Sequence, residues 1–280
     1  MTTSALPPTV VLRRGAVMPR LGLGTASLDD ATAERAVATA LEAGYRMIDT
    51  AENYRNEVGV GRGLEASGIA RAEVFVTTKF NKGWHGVDLV EQAFEASARR
   101  LGVDYVDLLL IHWPNPGQDR YVDAWRGLLK LFEQGRVRAI GTSNFKPAHL
   151  DRLLAETGEL PDVNQIQLSP DLIRSGPRAY HQDKGIVTMS WSPLGGSRSD
   201  LLTREPIVEI ARRHGKSPAQ VVLRWHLELG LVAIPRSSNP ERLGQNLDVF
   251  DFALSRDEIQ ALSALDRGES AAADSDTSGH

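Results

Sequence analysis

Three ionisable residues of the sequence each stand at the end of a short apolar run. Asp49 and Lys79 close two of these runs, and His112 directly follows a third. Strands of a parallel sheet are buried on both faces and are nearly all apolar, so a polar residue at the carboxyl end of a strand needs a chemical reason. Because barrel enzymes place their chemistry at those ends, we expect the three side chains to converge on one mouth of a parallel sheet.

The chemical types of these side chains predict a site that polarises a carbonyl oxygen and transfers a proton to it. A buried ammonium is costly without a carboxylate partner, so we predict an ion pair between Lys79 and Asp49. Tyr54 follows Asp49 by five residues, which would place its phenol over the same mouth. The nearby cation is expected to lower the pKa of the phenol and make Tyr54 a usable proton donor. His112 would add a ring donor that orients and polarises a carbonyl oxygen.

The sequence lacks the usual signatures of a nucleophile or a metal site. It contains no cysteine, no serine in a Gly-x-Ser-x-Gly turn, and neither His-x-His nor His-Glu-x-x-His. We therefore expect no metal. A proton donor without a nucleophile or a metal suggests that the electrons come from a cofactor, and protonation of a carbonyl oxygen during hydride transfer is the matching reaction.

Eight short apolar runs alternate with longer segments in which apolar residues recur three and four apart. This alternation predicts strands separated by amphipathic helices. With 280 residues, eight units would have about 35 residues each, which suits a closed parallel (β/α)8 TIM barrel of ~250 residues. The runs span residues 20–24, 45–49, 74–79, 106–111, 137–143, 163–167, 186–191 and 232–235.

The ends of the chain have patterns of their own. Residues 10–12 and 16–18 predict an N-terminal β-hairpin that caps the bottom of the barrel. We find no interdomain linker and expect residues 1–268 to form a single (β/α)8 domain. Residues 269–280 consist mainly of Ala, Ser, Asp and Gly, and we expect this tail to be disordered.

The composition argues against several classes of partner. Lys and Arg total 32 against 36 Asp and Glu, a formal net charge of −4, so we expect no binding to nucleic acid. No apolar run nears the ~18 residues of a membrane span, and the N-terminus lacks the apolar core of a signal peptide. The absence of cysteine suits a reducing compartment. We expect a cytoplasmic protein that does not bind membranes, and nothing in the sequence demands more than a monomer.

Several motifs, in the same order along nearly the whole chain, resemble those of the aldo-keto reductase family. They are residues 49–57 (DTAENYRNE), Lys79, residues 110–114 (LIHWP), residues 141–145 (GTSNF) and residues 234–237 (IPRS). The resemblance is greatest to compact bacterial members that reduce small aldehydes, methylglyoxal or diketo sugar acids. It implies that Asp49, Tyr54, Lys79 and His112 form a catalytic tetrad in which the tyrosine is the general acid.

The resemblance also implies that NADPH binds in an extended form across the barrel mouth, without a Rossmann domain. The glycines at residues 22–24 and 59–61 do not complete a Gly-x-Gly-x-x-Gly fingerprint, which is compatible with this expectation. By the family pattern, Ser143, Asn144 and Gln165 hold the nicotinamide carboxamide. Trp191 stacks on the nicotinamide ring.

The remaining cofactor contacts implied by the resemblance follow the dinucleotide outward. Small residues along the pyrophosphate allow close backbone approach, and two guanidinium groups near one point favour a 2′-phosphate over a hydroxyl. In order, the residues are Ser192, Leu194 and Gly196 at the pyrophosphate, Arg236, Ser237 and Arg242 at the 2′-phosphate, and Asn246 at the adenine.

The sequence departs from the family pattern at four positions. Arg236 stands where lysine is usual, Trp191 where tyrosine or phenylalanine is common, and Ser169 where relatives usually carry histidine. Ala26 stands where many relatives place an aromatic residue in the substrate pocket, so we expect a wider pocket on that side. The expected remaining walls of the pocket are Trp84, His85 and Trp113.

We therefore expect an NADPH-dependent reductase of small aldehydes, ketones or 2-oxoaldehydes. Taken singly, each tetrad residue has an ordinary structural explanation, such as a helix cap for Asp49 or a surface lysine for Lys79. The combination at three successive strand ends favours catalysis. An alternative is a nucleotide-sensing interaction protein of the same fold, which would bind NADPH without turnover. A metal-dependent barrel hydrolase would need clustered ligands that the sequence lacks.

Overall fold

A computed structural model describes residues 7–196 and 199–280, and in this part of the chain eight parallel strands form one sheet in chain order. The first and last strands meet through a parallel bridge between Leu21 and Ala233, and the Gly22 amide donates a 3.0 Å hydrogen bond to the Ala233 carbonyl. The sheet is therefore closed. The barrel strands are β3 (Leu23–Gly24), β4 (Met47–Asp49), β5 (Phe75–Phe80), β6 (Val106–Ile111), β7 (Val137–Ser143), β8 (Val163–Gln167), β9 (Val187–Trp191) and β10 (Val232–Ala233).

Helices surround this sheet and bury their apolar faces against it. Strands β5 and β6 are buried along their whole length, as expected for parallel strands covered by helices on one side and by the barrel interior on the other. The expected α/β class and (β/α)8 barrel are confirmed. The described helices are α1 (Asp30–Ala43), α2 (Glu57–Ala66), α3 (Leu89–Leu101), α4 (Tyr121–Glu133), α5 (Pro147–Thr157), α6 (Ser175–Lys184), α7 (Glu205–His214), α8 (Pro218–Glu228), α9 (Pro240–Leu247) and α10 (Arg256–Ser263).

The expected N-terminal hairpin is also present. Strands β1 (Thr9–Val11) and β2 (Val17–Pro19) pair in antiparallel register and precede the barrel. Leu12 and Met18 pack into the same apolar cluster as Met47 and Phe75, which lie at the amino-terminal part of their strands. The hairpin thus closes the end of the barrel opposite Asp49, so the chemistry is confined to the other mouth.

The glycines of residues 59–63 have a packing role in α2. A Cβ on Gly59 would lie 2.1 Å from the Asp30 carbonyl oxygen, and one on Gly61 would lie 2.4 Å from the Leu101 carbonyl oxygen. Only glycine therefore allows α2 to pack this closely against its two neighbouring helices. These glycines contact other backbone segments of the chain, which explains why their spacing does not follow a dinucleotide fingerprint.

Residues 269–280, for which we expected disorder, follow a defined path along the barrel mouth. The Lys146 ammonium lies 2.5 Å from Asp274 Oδ1 and 2.6 Å from Asp276 Oδ2. Ser275 is buried. The composition of this segment gives no hint of these contacts, because they depend on a lysine more than a hundred residues earlier. No helix in the described ranges has both the length and the apolar character needed to span a bilayer.

Candidate active site

The predicted ion pair lies at the carboxyl ends of β4 and β5. The Lys79 ammonium donates hydrogen bonds to Asp49 Oδ1 at 2.6 Å and to the Thr50 carbonyl at 2.8 Å. Lys79 is fully buried and Asp49 is 1% exposed. The second carboxylate oxygen, Oδ2, accepts a 2.7 Å hydrogen bond from the Gln165 side-chain amide. Both charges are thus neutralised and hydrogen bonded, which a buried ion pair requires.

Tyr54 lies beside this pair on the loop after β4. A 3₁₀ turn at Glu52–Tyr54 carries it, and the Lys79 ammonium donates a 3.4 Å hydrogen bond to the phenol oxygen. The Tyr54 ring stands edge to face with the His112 imidazole, with 5.8 Å between the ring centroids. Four side chains from the ends of three strands and one turn therefore meet at one opening, in agreement with the sequence prediction of their convergence.

The protonation of these groups is set by burial as much as by charge. Burial raises the pKa of the Tyr54 phenol, and the Lys79 charge opposes that shift without reversing it. Our expectation of a lowered phenol pKa is therefore wrong for this structure, because desolvation of the phenolate outweighs the attraction of the ammonium. Burial, followed by the charges of Lys79 and His280, holds the pKa of His112 well below its usual range. At neutral pH the site thus contains a protonated phenol beside a neutral imidazole.

The Lys79 ammonium stays charged under the same conditions. Burial alone would lower the pKa of Lys79, but the charges of Asp49 and Tyr54 and the hydrogen bonds to both residues together outweigh burial and raise that pKa. Burial raises the pKa of Asp49, and the Lys79 charge together with the hydrogen bonds from Lys79 and Gln165 opposes that shift without reversing it. The ammonium therefore remains a fixed positive charge next to the phenol oxygen.

Two of the residues expected to line the pocket have other positions. The Trp84 indole donates a 2.8 Å hydrogen bond to Glu52 Oε1, so Trp84 braces the turn that carries Tyr54. His85 is completely buried, and burial lowers its pKa to about 4. Among the described residues the mouth cavity is lined by Trp113 but by neither Trp84 nor His85. The sequence does not predict the hydrogen bond between Trp84 and Glu52, because the two residues lie on different loops.

The residues expected to hold a carboxamide form a connected group at the ends of β7, β8 and β9. Ser143 Oγ donates to the Gln165 carbonyl at 3.0 Å. Asn144 is in the left-handed region with φ 63°, which asparagine tolerates, and its amide nitrogen donates to Ser143 Oγ at 3.0 Å. The Trp191 indole donates to Asn144 Oδ1 at 2.8 Å. Hydroxyl, amide and indole groups thus fix one another beside His112.

The same cavity continues from this group toward two arginines. It has a volume of about 550 Å³ and extends from Tyr54 past Trp191 to Arg236 and Arg242. Arg236 donates a 3.1 Å hydrogen bond to the Ala26 carbonyl, on the side where we expected a wider pocket. Of the other predicted cofactor residues, the cavity lining includes Ser192, Leu194 and Gly196, whereas Ser237 and Asn246 lie outside it.

The chemistry along this cavity fits an extended phosphorylated dinucleotide. Amide and hydroxyl groups occupy the end beside Tyr54, and two exposed guanidinium groups occupy the other end. Gly196, with φ 85°, also lines this cavity, where the absence of a side chain allows close approach of a pyrophosphate. No cluster of three or more potential metal ligands occurs within residues 7–196 and 199–280.

His280 also lines the cavity, and the sequence analysis missed it. Its imidazole Nε2 lies 3.3 Å from His112 Nδ1, and the two rings stand edge to face with 4.6 Å between centroids. Because the sequence predicts disorder for residues 269–280, it predicts no role for His280. No local signal in that segment identifies its position.

Comparison with known proteins gives a consistent result. A model of the aldo/keto reductase family matches residues 20–267. An aldo-keto reductase of Mycolicibacterium smegmatis is 48% identical over 264 residues, covering 94% of this chain and 95% of the relative. A protein named methylglyoxal reductase DkgA, from Yersinia pestis, is 47% identical over 265 residues, covering 94% of this chain and 95% of the relative.

Solved structures agree with the fold over nearly the whole chain. The apo form of Gox0644 superposes with a TM-score of 0.93 at 43% sequence identity, covering 99% of this chain and all of that chain. A Gox0644 mutant in complex with NADPH has a TM-score of 0.93 at 42% identity, with coverage of 99% of this chain and 100% of that chain. A Bombyx mori aldo-keto reductase in complex with NADP has a TM-score of 0.87 at 34% identity, with 94% of each chain covered.

Proposed function

The chain belongs to the aldo/keto reductase family, and we propose that, as an NADPH-dependent oxidoreductase, it reduces small aldehydes, ketones or 2-oxoaldehydes with Tyr54 as the general acid. The observation that carries this proposal is the position of the phenol. Tyr54 Oη lies 3.4 Å from the buried Lys79 ammonium and beside the His112 ring, at the inner end of the cavity.

Tyr54 delivers a proton to the carbonyl oxygen of the substrate. When bound, NADPH supplies the hydride that adds to the carbonyl carbon. As negative charge develops on the oxygen, the phenol proton moves to it, and the phenolate left behind is stabilised by the Lys79 ammonium. Asp49 keeps that ammonium in place, which preserves the distance between Lys79 and Tyr54.

His112 orients the carbonyl by donating a hydrogen bond to its oxygen. Its lowered pKa keeps the imidazole neutral at pH 7, so it acts through a hydrogen bond and not as an acid. This division of roles follows from the two pKa shifts: the phenol keeps its proton, and the imidazole does not acquire a second one. The reduction therefore needs one proton from Tyr54 and no change of protonation at His112.

The residues of the cavity would hold the dinucleotide by their donor types. Ser143, Asn144 and Gln165 offer hydroxyl and amide groups for the carboxamide, and the half-buried Trp191 offers an aromatic face for the nicotinamide ring. Arg236 and Arg242 would bind the 2′-phosphate by charge-assisted hydrogen bonds. We also propose that Ser237 contacts this phosphate and that Asn246 contacts the adenine.

A small substrate is consistent with the walls of the cavity. Trp113, Ala26 and Leu202 are among its lining residues, and they combine one flat aromatic surface with a short side chain. The similarity to a protein named methylglyoxal reductase supports 2-oxoaldehydes among the substrates.

A substrate panel at fixed NADPH concentration tests the proposal. We expect multiple-turnover oxidation of NADPH with small aldehydes and 2-oxoaldehydes, and slower turnover with NADH in a parallel series. Fluorescence titration in the same buffer measures NADPH binding. Tight binding without turnover by any carbonyl compound would instead favour a nucleotide-sensing protein.

A further inference from the structure

The contact between His280 and His112 has a consequence for the proton on the His112 ring. Within residues 7–196 and 199–280, His280 is the one hydrogen-bond partner of His112 Nδ1. A neutral imidazole carries a single N–H, and its position depends on the bond that the other ring nitrogen makes. The partner of Nδ1 therefore decides whether Nε2 has a proton to donate.

The position of His280 is fixed by contacts of its segment with two other parts of the chain. Lys146 holds Asp274 and Asp276, and Ser275 is buried between these two residues. At the far end, the Lys82 backbone amide donates a 3.3 Å hydrogen bond to the His280 carbonyl oxygen. The imidazole thus reaches His112 from a segment that is tied to α5 and to the loop after β5.

The two imidazoles can share only one proton between their facing nitrogens. Burial lowers the pKa of His280 as well as that of His112, and each ring is therefore neutral at pH 7. If His112 Nδ1 carried the proton, Nε2 would be bare and would repel the lone pairs of a carbonyl oxygen. If His280 Nε2 carries it, His112 Nδ1 accepts and Nε2 keeps a proton for the substrate.

We propose that His280 is a positioning residue that holds His112 in its Nε2–H tautomer by donating a hydrogen bond to Nδ1. This inference rests on the proposed function of His112 as the carbonyl donor. Unlike a residue that only covers the cavity, His280 acts here through one N–H group. A side chain of similar size that lacks an N–H group therefore cannot replace His280, whereas a side chain of different shape that has an N–H group can.

Three substitutions distinguish hydrogen-bond donation to His112 from simple coverage of the cavity by the His280 ring. His280→Phe keeps an aromatic ring over the site but has no N–H, His280→Ala removes both, and His280→Gln keeps an amide donor of similar reach. Thr277→Ala is the matched control, because Thr277 is exposed on the same segment and does not line the cavity. The main readout is the tautomer of His112, measured by two-bond ¹⁵N–¹H NMR of the full chain labelled at histidine, with NADP⁺ bound.

We expect the unsubstituted protein, Thr277→Ala and His280→Gln to show His112 protonated at Nε2. His280→Phe and His280→Ala should show a mixture of tautomers. Their kcat for aldehyde reduction should fall in proportion to the share of His112 that has lost its Nε2 proton, about twofold for an even mixture, and KM should change less. His280→Gln should recover most of kcat.

A His112 ring protonated at Nδ1 in the unsubstituted protein would overturn the proposal, as would an unchanged tautomer in His280→Phe. A rise in KM alone in His280→Ala, absent from His280→Phe, would assign His280 a covering role and contradict the proposal. These results are independent of the proposed function, because the NMR measurement requires no turnover. Failure of the general-acid proposal would appear in Tyr54 variants and would leave the tautomer of His112 unaffected.

Discussion

The Gln165 side-chain amide donates a 2.7 Å hydrogen bond to Asp49 Oδ2, on the opposite side of the carboxylate from Lys79. One residue of the proposed carboxamide site is therefore bonded directly to the ion pair behind Tyr54. Because the side-chain nitrogen of Gln165 donates to Asp49, the orientation of the amide is fixed. The side-chain carbonyl oxygen of Gln165 therefore points away from Asp49. The proposed binding of the nicotinamide end and the position of Lys79 are thus linked through one side chain.

The variant Gln165→Met tests this link. It keeps the volume of the side chain but removes the donor to Asp49 and the proposed acceptor for the carboxamide. We expect up to about tenfold weaker NADPH binding in fluorescence titration, since a hydrogen bond to the neutral carboxamide is worth about 0.5–1.5 kcal/mol. Gln245→Met, on the exposed face of α9, is the control and should bind NADPH normally. Equal NADPH affinity in the two variants would show that Gln165 does not contact the cofactor.

The buried ion pair makes a prediction about stability. Lys79→Met leaves the Asp49 carboxylate buried without its cation, which should lower the free energy of unfolding by about 3–5 kcal/mol in urea denaturation. The double variant Asp49→Leu with Lys79→Met leaves no unpaired charge and should recover much of this loss. Lys130→Met, at an exposed pair with Asp88, should change stability little. A double variant less stable than Lys79→Met would contradict this explanation.

The arginines at the outer end of the cavity predict the choice of cofactor. Arg242→Ala should raise KM for NADPH about tenfold and leave KM for NADH nearly unchanged, because only NADPH carries the 2′-phosphate. Added salt should reduce the difference between the two cofactors, since both guanidinium groups are exposed. Arg62→Ala, on an exposed part of α2, is the matched control. An equal rise in KM for both cofactors would show that Arg242 contacts a part of the dinucleotide that NADPH and NADH share.

The pKa shifts predict a flat pH profile for the reduction. The reaction needs protonated Tyr54 and neutral His112. Burial moves the pKa of Tyr54 upward from 10.0 and that of His112 downward from 6.5, so the two groups keep these states across the interval between those values. Measured at saturating NADPH and aldehyde, kcat should be constant between about pH 6.5 and about pH 10. A fall in kcat centred near pH 7 or pH 8 would show that one of the two shifts has the opposite sign.

The barrel and the convergence of Asp49, Lys79 and His112 could be predicted from sequence because both follow from local patterns. Charged residues that end apolar runs must meet wherever parallel strands end together. The direction of the Tyr54 pKa shift could not be predicted, because it depends on how deeply the turn packs the phenol. His280 was missed for a similar reason: its position depends on ion pairs with Lys146, and no periodicity within residues 269–280 encodes such a contact.

The same limit applies to the walls of the pocket. Trp84 was expected to be one of the remaining walls of the substrate pocket. Its indole N–H bonds to Glu52 instead, and this contact supports the turn that carries Tyr54. A sequence shows which residues lie near the mouth but does not show which of them face the cavity.

Single-turnover oxidation of bound NADPH by Tyr54→Phe tests the general-acid proposal most directly. This variant keeps the ring beside His112 and removes only the proton donor, and Tyr180→Phe, whose hydroxyl bonds to Asp151 on the surface, is the matched control. In stopped-flow measurements with a saturating small aldehyde, we predict a rate at least about 100-fold lower for Tyr54→Phe, with unchanged NADPH affinity. Tyr180→Phe should react at the rate of the unsubstituted protein. A Tyr54→Phe rate within a few-fold of that value would contradict the assignment of Tyr54 as the proton donor.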